Sequence, residues 1–452
     1  MNTLIDALIK KAKKAQLEYE KFGQEEVDRV VKALARVVFN NAEELAKMAV
    51  DETGMGIFED KIKKNQSKAR IIWHSLKGKK SVGIIEYNEE SGIALVAKPM
   101  GVVCAVTPCT NPIVTPMCNT MFALKGRNSI IIAPHPRAKK CAGHIVDLFN
   151  EEIAKYNVPQ DIIQVINEPS IELTNELMCK ADVVVATGGM GMVKAAYSSG
   201  KPAYGVGVGN VQCIIDRDAD IKDAVLKIIT GRAFDNGIIC SAEQTVIVPR
   251  EKFEEVIKEF VKNNCYFIND AYEKKKLRDA LFIEGVPNKD VIGQDAVKIA
   301  EIAQIKVPEN IKVLIVETDG IGQADVLCKE KMCPVLAIIK CKDFKEAVKI
   351  AQTNLDYEGK GHSVSIHSNN KVNIEYAADN IKVSRFLINQ ICATMNGGSF
   401  FNGLAATTTL GCGSWGNNSI SENLDFKHLI NISRIAYYKK DAKVPTDEQL
   451  WG

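Results

Sequence analysis

The chain has 452 residues, 46% hydrophobic and 25% charged, with a net charge of +2 at pH 7. That balance belongs to a globular protein of two or three domains with a large core. It offers no basic field for nucleic acid or for an anionic membrane face, and no apolar run reaches the roughly 18 residues that cross a bilayer.

The 13 cysteines form no CxxC pair and follow no secretory leader, which argues for reduced thiols in a cytoplasm. None of the six histidines stands at zinc-ligand spacing to a cysteine pair, so no metal is expected. The first 16 residues carry Leu4, Leu8 and Ile9 among lysines. No flexible linker follows them, so they are expected to join the fold rather than form a detachable targeting helix.

Residues 24–40 place Val27, Val30, Val31, Leu34, Val37 and Val38 on one face, which predicts a helix. Residues 41–52 and 61–76 predict two more. From 83 to 97, Ile84-Ile85 and Ile93-Ala94-Leu95-Val96 flank the polar turn 88–92 and predict a β-hairpin. Lying outside the main alternation, it is expected to be an oligomerisation arm. Strands at 102–106, 129–133, 162–166 and 181–186 then alternate with helices at 115–124, 138–156 and up to 199, which predicts a parallel sheet. A helix at 220–232 leads into the run Phe234-Asp235-Asn236-Gly237-Ile238-Ile239-Cys240-Ser241-Ala242-Glu243-Gln244. A second alternation follows, with strands at 245–248, 313–316, 335–339 and 363–367 and helices at 251–263, 273–281 and 343–353. The expected fold class is α/β, with two parallel-sheet domains plus the hairpin and a boundary near residue 212.

Cys240 follows a Gly turn and two β-branched residues, so it projects from a tight loop as a candidate nucleophile. Taken alone, each of the 13 cysteines is equally well explained by packing. Thr187-Gly188-Gly189-Met190-Gly191-Met192-Val193 follows a strand and opens a helix, where backbone N–H groups and the positive helix end suit a phosphate. Its spacing is not GxGxxG, and a tight turn explains the glycines as well. Gly205-Val206-Gly207-Val208-Gly209-Asn210 is a second glycine loop, open to the same two readings. His135-Pro136-Arg137-Ala138-Lys139-Lys140 ends a strand at its carboxyl end, where parallel sheets bind ligands. Arg137 and Lys140 are candidates for the adenosine end of a dinucleotide, whereas Lys139 reads more simply as a solvated charge. Asn111, between two prolines, is a rigid neutral donor able to hold an oxyanion, a task worth about 3–4 kcal/mol per donor. Asn before Pro is also a common turn.

Together these segments resemble the CoA-acylating branch of the aldehyde dehydrogenase superfamily over nearly the whole length. The resemblance also rests on Glu330-Lys331-Met332-Cys333-Pro334-Val335, on Gly361-His362-Ser363 and on the run from Gly411 to Asn423. Within the branch, TNPIVTPMCN, KEKMCPV and SIHSNN look most like CoA-dependent succinate-semialdehyde dehydrogenases. The resemblance implies a dinucleotide-binding domain at 1–212, with the 83–97 hairpin and completed by about 396–425. It implies a catalytic domain at 213–395 and a C-terminal segment, 426–452, for subunit contact in a homodimer or homotetramer.

It also implies roles. Cys240 would attack the aldehyde, Asn111 would hold the oxyanion, and Glu330 would hold the nicotinamide ribose. His135, Pro136, Arg137, Lys140, Thr187, Gly188, Gly189, Val193 and Gly207 would bind NAD or NADP. Hydrolytic relatives carry a glutamate in the loop matching 204–210, and this chain has none there. Without that base water attacks slowly, whereas a thiol with a pKa near about 8.5 needs less help. CoA is therefore the expected co-substrate, with His362 as partner for its thiol and His367 as structural. Cys109 and Cys333 fall in site-like loops, and Thr110, Ser241 and Ser399 are candidates for a substrate carboxylate. The same chemistry on acetaldehyde, propanal or butanal is the alternative. A catalytically dead scaffold is disfavoured because Cys240, Asn111 and Glu330 are all present.

Overall fold

A computed structural model describes residues 3–452; Met1 and Asn2 of the N-terminal segment lie outside them. Helix α1 (Leu4–Tyr19) opens on a capping box between Thr3 and Asp6, which satisfies two orphan helix-end donors. Its Ile5, Ile9 and Ala12 are buried beneath the first sheet, so the segment is integral to the core. Helices α2 (Gln24–Asn40), α3 (Ala42–Thr53) and α4 (Phe58–Leu76) follow. Helix α4 starts three residues before the expected point. Its first turn is the acidic Glu59-Asp60, which suits a helix N-terminus but carries no apolar period.

Strands β1 (Gly83–Asn88) and β2 (Ile93–Pro99) form the antiparallel hairpin. Five strands then build the first sheet: β3 (Val102–Thr107), β4 (Ser129–Pro134), β5 (Ile163–Val165), β6 (Val183–Thr187) and β7 (Ala203–Val206). They run parallel in the order β5-β4-β3-β6-β7. Helices α5 (Val114–Lys125), α6 (Lys139–Ala154), α7 (Ile171–Lys180) and α8 (Met190–Tyr197) connect them. The connections leave in opposite directions from β3 and β6, and ligands bind at the carboxyl ends beside such a switch point.

Strand β8 (Val211–Ile215) already belongs to the second sheet, and α9 (Ile221–Ala233) leads from it to the Cys240 loop. The remaining strands are β9 (Glu243–Pro249), β10 (Cys265–Ile268), the short ribbon β11 (Phe282–Ile283) with β12 (Val286–Pro287), β13 (Val313–Glu317), β14 (Val335–Cys341), β15 (Gly361–His367), β16 (Val383–Ile388) and β17 (Ile430–Ala436). The second sheet is parallel in the order β10-β13-β14-β9-β8-β15-β16.

β8, β10, β16, β17 and the β11–β12 ribbon are absent from the expectations above. β10 is only four residues long, and β16 mixes Ser384 and Arg385 into its apolar run. β17 pairs with β2 and turns the hairpin into a three-stranded sheet. Residues between the second sheet and β17 return to the first core, where Ala406, Leu424, Phe426 and Leu429 pack with α2 and α5.

Candidate active site

The nucleophile loop begins with three successive left-handed residues, Asp235, Asn236 and Gly237, at φ 51°, 53° and 66°. Asp, Asn and Gly tolerate that region best, which is why this triplet stands here. The turn drives the Asp235 carboxylate into the interior against α4. Its Oδ1 accepts from the Ile57 N–H at 2.9 Å, and its Oδ2 accepts from Lys61 at 3.2 Å and from Lys64. Asp235 is fully buried and both lysines nearly so. Burial, and then Lys64, pulls the Lys61 ammonium down to about 8.

Lys64 also donates to Asn111 Oδ1 at 2.9 Å. An ammonium only donates, so it fixes the Asn111 amide with oxygen toward Lys64 and Nδ2 turned away. The nearest acceptor to that Nδ2 is Thr110 Oγ1, at a long 3.4 Å. Lys64 thus positions the amide. Lys64→Met is expected to lower kcat by about 10- to 100-fold, most of the worth of one oxyanion donor. Lys64→Arg should recover much of it, and dinucleotide binding followed by fluorescence should barely change. An unaltered kcat in the Met variant would refute the positioning role.

Two cavities meet at Cys240, Asn111 and Thr408. The larger, of about 360 Å³, opens over the carboxyl ends of β3, β4, β6 and β7. It is lined by Thr107–Asn111, His135, Pro136, Thr187, Gly188, Gly189, Gly207, Val208 and Glu330 among others. Gly189 is the N-cap of α8 and supplies no side-chain cap, so the first helical N–H groups are left for an anion. A side chain at Gly207 would strike the Met190 sulfur at 2.6 Å, and one at Gly209 would strike the Cys240 carbonyl oxygen at 2.1 Å. The glycine loop therefore passes the nucleophile as closely as backbone can.

Cys240 is partly exposed at the junction. Burial of its surroundings, followed by the Glu330 carboxylate, pushes the thiol up to about 12. Glu330 is itself pushed up to about 8 by burial and by Glu358, and its Oε1 accepts from the Gly209 N–H at 3.3 Å. At its value of about 12, Cys240 rests as a thiol.

Cys109 and Thr110 also line the larger cavity. Arg137 and Lys140 do not: Arg137 Nη2 donates to the Thr53 carbonyl at 2.7 Å, and the Lys140 N–H donates to Glu52 at 2.7 Å. Lys139 pairs with Glu168 at 2.5 Å, and Val193 is buried in the first turn of α8. His362 is fully buried and lines neither cavity. Burial and Arg385 hold its imidazole down to about 3, and neither ring nitrogen has a hydrogen-bond partner among the described residues. His367 is buried on the opposite strand face, and Cys333 is buried away from both cavities.

The smaller cavity, of about 70 Å³, lies on the other side of Cys240. It is lined by Lys64, Ser67, Lys68, Val114, Phe234, Ile239, Ser241, Ala393, Thr394, Gly397, Thr407 and Leu410. Ser241 is there, with its hydroxyl spent on the Ala393 carbonyl at 3.1 Å, whereas Ser399 lines neither cavity. Lys64, Lys68 and Asp235 are the site residues that sequence reasoning missed. The lysines' one signal was the 61, 64, 68 spacing on a helix face, which reads equally well as a solvated stripe.

The model of the aldehyde dehydrogenase family matches residues 2–266 and 316–429. The succinate-semialdehyde dehydrogenase (acetylating) of Clostridium kluyveri is 55% identical over 448 residues, 99% of each chain. The sulfoacetaldehyde dehydrogenase of an Acholeplasma species is 45% identical, covering 98% of this chain and 93% of its own. Among solved structures, an acetylating aldehyde dehydrogenase from Geobacillus thermoglucosidasius superposes with a TM-score of 0.94 at 37% identity, covering 98% of each chain.

Proposed function

The chain belongs to the aldehyde dehydrogenase family, and from that premise we propose that it reversibly converts succinate semialdehyde, CoA and NAD(P)⁺ to succinyl-CoA and NAD(P)H. The observation that carries this reading is the junction itself. One thiol and one oriented amide stand between a cavity of about 360 Å³ and a small cationic one, beside a glycine loop that carries no carboxylate.

Cys240 loses its proton and bonds to the aldehyde carbon, giving a thiohemiacetal. The oxyanion settles on Asn111 Nδ2, which Lys64 has turned toward it, and on the Cys240 N–H. The larger cavity is where a dinucleotide would bind: the uncapped start of α8 would receive its pyrophosphate, and Glu330 its nicotinamide ribose. What it supplies when bound is the hydride acceptor, and Cys240 is left with a thioester. The 204–210 loop offers backbone and valine to that thioester, with nothing to activate water, so the acyl group passes to the CoA thiol. His362 is the proposed partner for that thiol; fully buried, outside both cavities and held down to about 3, it would have to gain access and basicity when CoA binds.

With aldehyde and NAD(P)⁺ but no CoA, one equivalent of NAD(P)H per site should appear and then stall. Sustained turnover would show that water reaches the thioester. His362→Ala should slow CoA-dependent release more than that burst; an unchanged steady state would return His362 to a packing role. For the substrate, kcat/KM for succinate semialdehyde is expected to exceed that for butanal, and the reverse order would overturn the choice.

Residues 1–212 with 396–425 form the proposed dinucleotide domain and 213–395 the nucleophile domain, while 426–452 and the hairpin provide subunit contacts in a homodimer or homotetramer. Among the described residues no helix is long and apolar enough to cross a membrane, and a cytoplasmic location belongs to the same reading.

A further inference from the structure

The small cavity behind Cys240 contains a cation with no counter-ion. Lys64 and Lys68 stand one turn apart on α4 and both line it. Lys64 is engaged by Asp235 and Asn111. Lys68 is not so engaged: its Nζ donates only to the carbonyls of Gly397 at 3.1 Å and Thr407 at 3.4 Å. No carboxylate among the described residues pairs with it.

A partly buried ammonium held by carbonyl dipoles and no carboxylate is incompletely compensated, and an anionic ligand would supply the missing negative charge. The rest of the wall fits that ligand. Phe234, Ile239 and Leu410 give a short apolar passage, and the Thr394 hydroxyl adds a polar group. A volume of about 70 Å³ limits the occupant to a chain of a few carbons.

We infer that Lys68 is a specificity-determining residue that holds an anionic group at the far end of the aldehyde while Cys240 attacks the near end. The inference rests on the substrate reading above and deepens it. The shared chemistry is a short aldehyde bearing a carboxylate or a sulfonate; assays with succinate semialdehyde and with sulfoacetaldehyde separate the two.

The charge state adds a readout. Burial draws the Lys68 ammonium down to about 8, and the titratable groups facing it are Lys64, Cys118 on α5 and Cys240. Only the protonated form holds an anion. The ratio of kcat/KM for the anionic aldehyde to that for butanal should therefore fall as pH rises above 8. Butanal shares every dependence on Cys240 and cancels it.

The decisive experiment measures that ratio in the wild type, in Lys68→Met and in Lys68→Arg. A lost hydrogen bond to a charged group corresponds to roughly 10- to 100-fold. The Met variant is expected to drop the ratio by more than about tenfold, chiefly through KM, and Arg to restore most of it. A smaller drop overturns the assignment. A wild type that prefers butanal instead overturns the substrate reading, a distinct result visible before any variant is made. Should Lys68→Met fail to fold, 4-hydroxybutyrate should protect wild-type Cys240 from iodoacetamide where equimolar 1-butanol does not; equal protection overturns the assignment.

Discussion

Cys240→Ser is expected to lower steady-state acyl-CoA formation by about 10³-fold or more, the scale seen when a covalent nucleophile is lost. The substitution exchanges one atom and leaves the loop intact, so dinucleotide binding should persist. Chemistry should not. The thiol already stands at about 12 through burial and the nearby Glu330, and a hydroxyl in the same place is harder still to ionise. No histidine lines the smaller cavity, and the one lining the larger, His135, follows β4 in the turn that opens the 135–140 segment. A serine nucleophile would thus lack the paired base that such residues need. The measurement is the NAD(P)H burst together with the steady-state rate. A Ser variant within tenfold of wild type would move the nucleophile to Cys109, the other thiol lining that cavity.

Asp235→Ala is expected to destabilise the fold by about 3–5 kcal/mol, the usual result of removing one partner from a buried ion pair. The carboxylate faces both Lys61 and Lys64, which are 2% and 6% exposed. Without it two ammonium groups confront each other in the interior. The same change releases the Ile57 N–H at the start of α4 and frees Lys64 to leave Asn111. Stability and kcat should therefore fall together, which separates Asp235 from an ordinary core residue. Denaturant unfolding alongside a rate assay checks both. A loss under about 1 kcal/mol would show that water reaches the two lysines.

The alternation of the first sheet was legible because parallel strands buried on both faces read as unbroken apolar runs, such as Ser129–Pro134 with every residue buried. The Cys240 loop, the glycine loops and Glu330 were legible as motifs, and they lie together around the larger cavity. What escaped was anything set by the meeting of distant segments. Lys64 and Lys68 became site residues only because a turn some 170 positions later presses Asp235 and Cys240 against α4. Composition gives no sign of which lysines on a helix face inward. Arg137 and Lys140 show the converse: basic residues at a sheet edge whose observed hydrogen bonds run to α3. β17 alternates well but pairs with a hairpin more than 300 residues earlier, a pairing that no local pattern announces.

The return of the chain to its first core has a consequence for how the protein is made. The surfaces of α5 and β2 that Phe426, Leu429 and β17 cover are synthesised more than 300 residues before their cover. At about 5–20 residues per second, that interval is roughly 15–60 s on the ribosome. Throughout it the nascent chain presents an uncovered apolar face and an unpaired strand edge in β2. The N-terminal unit of this enzyme therefore cannot finish folding as it emerges, and protection of that face during translation becomes part of the cost of producing it.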